Sequence, residues 1–313
     1  MESIDRIVFF GTPAFAVPSI DALVAAGRAP VLVVSQPARP AGRERRLVEP
    51  PVTTRARKLA LPTDAVESVR APEFLARLAA LGPDLAVVVA FGQIFPPALL
   101  ALPRLGCLNV HASLLPRWRG AAPIAAAIAA GDRETGVTVQ RMEAGLDTGP
   151  VLARRSTPIG AREDAGSLAE RLARLGAELL VDTLGELERG EATARPQDEA
   201  GATYAPKLAG VRDLGYAGEA GETERLVRAF HPEPGAALEL RGERVKLLAA
   251  AVSPEGTEAP PGTVLAVAGA ALRVAMGGGT VLDLVRVQRP GGRPISGRDL
   301  ANGLRLSPGD RLA

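Results

Sequence analysis

The sequence is poor in the residues that build disulfides and metal sites. Its 313 residues include one cysteine, Cys107, so no intramolecular disulfide can form. Histidine occurs twice, and no cluster of cysteine and histidine has the spacing of a zinc site. The sequence therefore predicts neither a disulfide framework nor a metal centre.

The chain is long enough for two domains, the first with an ample hydrophobic core.

Long apolar runs are also lacking. No stretch approaches the roughly 20 apolar residues of a membrane span. The first apolar segment, residues 7–10, is too short for the core of a signal peptide, and an Arg-rich, acid-poor transit peptide is absent. Apolar residues make up 47% of the chain and charged residues 23%, which is typical of a globular protein. We therefore expect a cytoplasmic protein.

A large net charge is missing as well, because the chain carries only +2. The positive charge is nevertheless concentrated in two places. Residues 39–58 contain seven basic and two acidic residues, and residues 286–313 contain six arginines and two aspartates. One such run alone is compatible with a solvated surface, whereas two also suit a partner rich in phosphate, such as RNA.

The first half of the chain alternates apolar strands with amphipathic helices, which predicts an α/β fold with a parallel sheet. The first turn has one glycine where a dinucleotide-binding loop has G-x-G-x-x-G, so that motif is absent. Residues 36–51 contain four prolines and an arginine cluster, and we expect a functional loop there because it is longer than usual connections.

The second half changes in character. Ser167 and Glu170 have the spacing of a capping box and predict the start of a long helix that ends at Gly190. Five short strands separated by glycine turns then predict a small barrel of the OB type. We therefore predict a domain over residues 1–189, a linker over 190–208 and a second domain over 209–313.

The chemistry is concentrated at the end of the apolar strand that contains Cys107. Strand alternation places Asn109 and His111 on one face, at the carboxyl end where ligands of α/β sheets bind. An amide beside an imidazole offers an oxyanion donor next to a general base, as acyl transfer to an amine requires. Asp147, in a turn-rich stretch further on, is a candidate to orient the imidazole.

These residues lie in a string that resembles the folate-dependent formyltransferases, and other parts of the chain resemble the same family in the same order. The matching stretches are Phe-Phe-Gly-Thr-Pro-Ala-Phe-Ala at 9–16, Ser-Gln-Pro-Ala-Arg-Pro-Ala-Gly-Arg at 35–43, Val-Val-Ala-Phe-Gly-Gln at 88–93, Asn-Val-His-Ala-Ser-Leu-Leu-Pro-Arg-Trp-Arg-Gly-Ala-Ala-Pro-Ile at 109–124, Gly-Leu-Asp-Thr-Gly at 145–149 and Thr-Tyr-Ala-Pro-Lys-Leu at 203–208. The resemblance implies a Rossmann-like, mostly parallel sheet with helices on both faces, followed by an OB-type barrel.

The resemblance also implies substrates and site residues. The expected formyl donor is 10-formyltetrahydrofolate, used without a metal, and the expected acceptor is the amine of methionyl-initiator tRNA. The residues implied for the folate site are Val89, Phe91, Ser113, Leu114, Leu115 and Pro116. Those we assign to tRNA are Arg43, Arg45 and Arg46 in the basic loop and Lys207 at the end of the linker. We expect a monomer without a stable protein partner.

Other functions share the same three polar residues. A small-molecule amine formyltransferase or a formyltetrahydrofolate hydrolase would also use Asn109, His111 and Asp147. The basic loop, the second domain and Lys207 favour the tRNA substrate over these alternatives. A non-catalytic RNA-binding module is disfavoured, because RNA binding alone does not need the amide, imidazole and carboxylate.

Overall fold

The computed structural model describes residues 3–41 and 46–312. The strands, numbered in chain order, are β1 Ile7–Gly11, β2 Leu32–Ser35, β3 Arg39–Ala41, β4 Arg46–Val48, β5 Thr63–Ala65, β6 Leu85–Val89, β7 Cys107–His111, β8 Arg119–Gly120, β9 Glu134–Arg141, β10 Val151–Pro158, β11 Tyr204–Ala205, β12 Arg212–Asp213, β13 Ala236–Leu240, β14 Glu243–Val252, β15 Val264–Ala268, β16 Ala271–Ala275, β17 Val281–Gln288 and β18 Pro294–Ser296. The α-helices are α1 Val17–Ala25, α2 Pro51–Lys58, α3 Pro72–Leu81, α4 Pro97–Leu100, α5 Pro123–Ala130, α6 Ala165–Arg189, α7 Ala220–Phe230 and α8 Gly297–Leu304.

The chain divides into two compact units. The first contains residues 1–123, 134–158 and 169–206, and the second contains residues 124–133, 159–168 and 207–313. In the part of the chain that the structure describes, no helix has the length and apolarity needed to cross a membrane.

The first unit is built on a mostly parallel sheet. Among the described residues, seven strands follow the order β10-β9-β7-β6-β1-β2-β5. The strands from β7 to β5 are parallel, while β9 and β10 are antiparallel to their neighbours. The strand order reverses beside β1, and ligands of such sheets bind at the carboxyl edge near this point. The predicted mostly parallel α/β sheet is confirmed.

One core of this unit lies around Phe10 on β1, whose side chain has no exposed surface. Its ring lies 4.9 Å from that of Phe95, 5.4 Å from that of Phe91 and 6.4 Å from that of Phe74, all in edge-to-face geometry. Edge-to-face contacts add to the stabilisation that comes from burying the rings. This cluster anchors the residues that follow β6 and therefore supports the carboxyl edge of the sheet.

Replacing Phe10 by alanine is expected to lower the free energy of unfolding by about 3–5 kcal/mol, because a large cavity would remain inside the aromatic cluster. Denaturant titration of the two proteins measures this difference. Ile94→Ala is the matched control, since that side chain is 68% exposed and its truncation is expected to cost about 0.5 kcal/mol or less. Equal losses from both changes would contradict the assignment of Phe10 to the core.

Two local predictions need correction. The loop predicted over residues 36–51 contains a hairpin, in which β3 pairs antiparallel with β4. The helix predicted to begin at Ser167 begins at Ala165 instead. The carboxylate of Asp164 accepts the Ser167 amide N–H at 2.8 Å, and the Ser167 hydroxyl accepts the Asp164 N–H at 3.3 Å. The predicted box of Ser167 and Glu170 is therefore wrong, because Asp164 caps the helix and Ser167 is the third helical residue, which reaches back to it.

The second unit contains a mostly antiparallel sheet with the order β12-β13-β14-β17-β16-β15, to which β18 adds beside β17. Its core contains buried side chains of β13, β14, β16 and β17 together with Leu300 of α8. Ser296 caps α8 by accepting the Asp299 N–H. A C-terminal sheet domain is therefore confirmed, while its closure into an OB-type barrel stays a prediction.

Candidate active site

The polar residues of β7 lie between two neighbouring strands of the central sheet. Val88 of β6 pairs with Asn109 in parallel, and Gln140 of β9 pairs with Asn109 from the antiparallel side. The Asn109 side chain is half-buried, and the His111 residue is only 6% exposed. Both side chains project from the same face of β7, so the sheet itself sets their spacing.

Asp147 reaches this strand end from a turn after β9. Its Oδ1 accepts N–H groups from Asn109 Nδ2 at 3.2 Å and Gln140 Nε2 at 3.0 Å. Its Oδ2 accepts the Gly120 backbone N–H at 2.8 Å. Three donors therefore hold the carboxylate, and the structure brings Asn109, His111 and Asp147 together.

The His111 ring is held from both sides. Its Nε2 lies 2.9 Å from the Trp118 carbonyl oxygen, and a carbonyl only accepts, so Nε2 carries a proton. Its Nδ1 lies 3.7 Å from Asp147 Oδ2. This separation exceeds a hydrogen bond but allows charge interaction, so a proton on Nδ1 would face a carboxylate.

This arrangement suits attack of an amine on a carbonyl carbon. Asn109 uses one amide N–H on Asp147 and keeps a second N–H for a developing oxyanion. His111 can take up a proton at Nδ1, and the nearby Asp147 carboxylate balances the charge that results. The serine that follows, Ser113, donates its hydroxyl to the Arg117 carbonyl and is wholly buried, so it is not presented as a nucleophile.

The four residues implied for folate after β7 form a tight loop. Thr138 of β9 donates its hydroxyl to the Ser113 carbonyl at 2.6 Å and accepts the Leu115 N–H at 3.1 Å. Leu115 is buried, whereas Leu114 and Pro116 are half-buried. The loop is therefore fixed against β9, next to His111.

The other two implied folate residues are Val89, the last residue of β6, and Phe91, which follows that strand; β6 pairs with β7. Val89 is buried, and the Phe91 ring packs into the aromatic core. The Phe91 carbonyl accepts hydrogen bonds from Thr12 Oγ1 at 3.2 Å and Gln36 Nε2 at 2.8 Å. Phe91, Thr12 and Gln36 line part of a cavity of about 380 Å³ at the carboxyl ends of β1 and β6. The residues that surround this cavity are Thr12, Pro13, Gln36, Pro37, Arg39, Val48, Glu49, Pro50, Pro51, Ala90, Phe91 and Gly92.

The structure describes two of the four residues assigned to tRNA. Arg46 begins β4 of the hairpin and is exposed, and Lys207 is exposed in the second unit. Arg43 and Arg45 lie outside the described residues. Among residues 3–41 and 46–312, no group of three or more His, Cys, Asp or Glu side chains is arranged to hold a metal ion.

Three residues of the site were not predicted from the sequence. Gln140 is 1% exposed and binds Asp147, and a polar residue within the apolar strand 136–141 was an available signal. Gln197 and the fully buried Arg119 lie behind the Asp147 turn. Arg119 belongs to a stretch that carries the family resemblance, but nothing in the sequence pairs it with Gln197.

Cys107, at the start of β7, is expected to be unreactive in the folded protein. It is 1% exposed, and burial raises the pKa of its thiol to about 12. Because the thiolate is the nucleophile, we expect no alkylation by iodoacetamide near pH 8 while the chain is folded. Mass spectrometry should show full alkylation after unfolding in guanidinium chloride. Rapid labelling of the native protein would contradict this placement.

An α/β sheet with an amide, an imidazole and a carboxylate at one strand end defines an enzyme of the acyl-transfer class. The sequence-family model described as formyl transferase matches residues 5–184. The family model of the formyl transferase C-terminal domain matches residues 216–305. The chain belongs to the formyl transferase family.

Individual proteins agree with this assignment. The chain is 52% identical over 306 residues to the methionyl-tRNA formyltransferase of Halorhodospira halophila, which covers 97% of the chain and 98% of that protein. HypX of Aquifex aeolicus, solved with tetrahydrofolic acid, is 20% identical with a TM-score of 0.64 over 96% of the chain. The chain spans about half of that protein, 47% of its length. WlaRD, a sugar 3N-formyl transferase, is 15% identical with a TM-score of 0.67 over 92% of the chain and 98% of WlaRD. The last two show a shared fold.

Proposed function

We propose that the chain transfers the formyl group of 10-formyltetrahydrofolate to the amino group of methionyl-initiator tRNA, giving N-formylmethionyl-tRNA for translation initiation. The observation that carries this proposal is the 52% identity to a methionyl-tRNA formyltransferase over nearly the full length of both chains. The arrangement of Asn109, His111 and Asp147 supports it with the groups that such a transfer needs.

The reaction exchanges one carbon–nitrogen bond for another. The methionyl amine attacks the formyl carbon, and the carbonyl oxygen becomes an oxyanion that the free N–H of Asn109 stabilises. His111 takes the ammonium proton at Nδ1, beside Asp147. The bond from the formyl carbon to the folate nitrogen then breaks, and His111 returns the proton to that nitrogen. The double bond between the formyl carbon and its oxygen forms again, so the written reaction includes no water and no metal.

The substrates divide between parts of the chain in this proposal. Folate lies against residues 113–116, which follow β7, and against Val89 and Phe91 at the end of β6, because β6 pairs with the strand that carries His111. The tRNA contacts the basic residues Arg43, Arg45, Arg46 and Lys207 through phosphate. Residues 1–189 form the catalytic domain, 190–208 the linker and 209–313 the tRNA-binding domain.

Cellular context follows from the substrate. Initiator tRNA is charged and used where ribosomes begin translation, so we assign the enzyme to the cytoplasm. Each chain contains its own amide, imidazole and carboxylate, so a monomer suffices for the chemistry. We therefore assign no stable protein partner.

Incubation with 10-formyltetrahydrofolate and methionyl-initiator tRNA tests the proposal. The expected product is N-formylmethionine, detected by mass spectrometry after deacylation of the tRNA. A parallel reaction without tRNA measures release of tetrahydrofolate by hydrolysis, and one with small amines measures transfer to them. Rapid hydrolysis, or transfer to small amines without transfer to tRNA, would contradict the proposal.

A further inference from the structure

The turn that carries Asp147 has a shape that needs outside support. Asp147 has a φ angle of +54°, a conformation that residues other than glycine seldom adopt. Gly149 packs so closely on β9 that an added Cβ would lie 1.8 Å from the Arg141 carbonyl oxygen. Backbone in such a conformation persists where its surroundings fix it, so the contacts that fix this turn also fix the catalytic carboxylate.

The side chain of Gln197 spans the turn. Its Nε2 donates to the carbonyl oxygens of Asp147 at 2.8 Å and Gly149 at 2.7 Å. The same nitrogen lies 3.3 Å from Gln140 Oε1, but a side-chain amide has two N–H donors, and its two shorter contacts are those to the turn carbonyls. Gln197 therefore ties together two points of the turn on either side of Thr148.

The direction in which the Gln197 amide points is set by Arg119. Gln197 Oε1 accepts from Arg119 Nε at 3.1 Å and Nη2 at 2.9 Å. A guanidinium only donates. Turning the amide over would therefore set its NH₂ against the guanidinium and its oxygen against two carbonyls. Arg119 thus selects the orientation in which Gln197 donates to the turn.

Arg119 is in turn fixed by Glu199. The Arg119 side chain has no exposed surface, and its Nη1 and Nη2 donate to the Glu199 carboxylate at 2.9 Å and 2.7 Å. These hydrogen bonds raise the pKa of the Arg119 guanidinium and lower the pKa of the Glu199 carboxyl. Both groups are therefore charged at neutral pH, and a buried charge that is paired in this way keeps its geometry.

The same short strand also holds the Asp147 carboxylate directly. Gly120, which follows Arg119 in β8, donates its backbone N–H to Asp147 Oδ2 at 2.8 Å. The side chain of Arg119 thus acts on the turn's backbone through Gln197, while the adjacent backbone acts on its carboxylate. Both contacts constrain the position of Asp147 relative to the His111 ring.

We propose that Gln197 is a positioning residue, which Arg119 and Glu199 hold so that the Asp147 carboxylate faces Asn109 and His111. The segment predicted to be a linker, residues 190–208, thus completes the catalytic site. The expected loss of kcat rests on the proposed formyl transfer. The expected shift of the His111 ring signals in NMR does not.

Gln197→Glu removes the positioning contacts and keeps the contact with Arg119. The new carboxylate keeps an acceptor for Arg119, but it loses both N–H donors and sets an oxygen against the turn carbonyls. We expect the melting temperature to fall. We also expect kcat, measured well below that temperature, to fall about 10- to 100-fold, because small misplacement of a catalytic group is costly. KM for 10-formyltetrahydrofolate and for tRNA should change less than about threefold, since ground-state binding is untouched.

Two further variants complete the set. Gln197→Met keeps the length of the side chain without polar contacts, so kcat is expected to fall similarly and the melting temperature to drop as well. Gln288→Met is the matched control, because the Gln288 amide also donates to a backbone carbonyl, that of Gly292 at 2.9 Å, but in the second unit. Its kcat is expected to equal that of the wild type.

NMR of the histidine rings gives a readout that does not depend on activity. The chain has two histidines, of which His111 lies 3.7 Å from Asp147 and His231 lies 3.0 Å from Asp164. In Gln197→Glu we expect the His111 ring signals to shift while those of His231 stay in place. Unchanged His111 signals together with a kcat within about twofold of the wild type would overturn the proposal. If the wild-type chain formylates no tRNA, the proposed function fails, and the His111 signals alone then decide the role of Gln197.

Discussion

Replacing His111 by alanine is expected to lower kcat for formylation of methionyl-initiator tRNA about 10²- to 10⁴-fold, because the variant loses the group that moves the proton. Asn109→Ala and Asp147→Asn are each expected to lower kcat about 10²-fold or more through loss of oxyanion and imidazolium stabilisation. Single-turnover measurements with preloaded 10-formyltetrahydrofolate give the rate of the chemical step.

The other histidine supplies the control for this experiment. His231 belongs to the second unit, where its Nδ1 lies 3.0 Å from Asp164 Oδ2. His231→Ala removes an imidazole beside a carboxylate, as His111→Ala does, but in the second unit. We expect His231→Ala to keep kcat near the wild-type value. A near-normal rate for His111→Ala with folding intact would remove His111 from the mechanism.

The part of the site that could be predicted from the sequence is the part that one strand determines. Asn109 and His111 are two residues apart on β7, so alternation alone places them on one face. The apolar runs at β1, β2 and β6 likewise marked the strands of the parallel sheet, because strands buried on both faces are continuously apolar. Asp147 was assigned from a turn-rich stretch and from the family resemblance, since no local rule brings a residue 36 positions away beside His111.

The remainder depends on contacts between distant segments. Gln197 is 50 residues from Asp147 and 78 from Arg119, and the polar stretch around it has the composition of a linker. The hairpin of β3 and β4 was missed because proline and glycine disfavour strands, while edge strands tolerate proline. In both cases the partner, and not the local sequence, decides the structure.

The basic loop after β2, residues 36–51, allows recognition of tRNA to be tested separately from the chemical step. The loop leaves the sheet at the carboxyl end of β2. Strands β2, β1, β6 and β7 are neighbours in this order and all run parallel. The loop therefore begins at the same edge of the sheet as His111. Residues 39–58, which include most of the loop and helix α2, carry a net charge of +5, and we propose that Arg43 contacts phosphate of the acceptor stem.

Arg43→Ala is expected to lower kcat/KM for methionyl-initiator tRNA about 10- to 100-fold and to reduce the slope of log affinity against log salt by about 1, as the loss of one phosphate contact predicts. The affinity for 10-formyltetrahydrofolate, measured by calorimetry, should not change. Arg77→Ala is the control, because Arg77 is exposed, pairs with Asp64 at 2.8 Å and lies outside the basic loop. Equal loss of folate binding in Arg43→Ala would mean that the loop builds the active site. No loss of either substrate would leave Arg43 as ordinary surface charge.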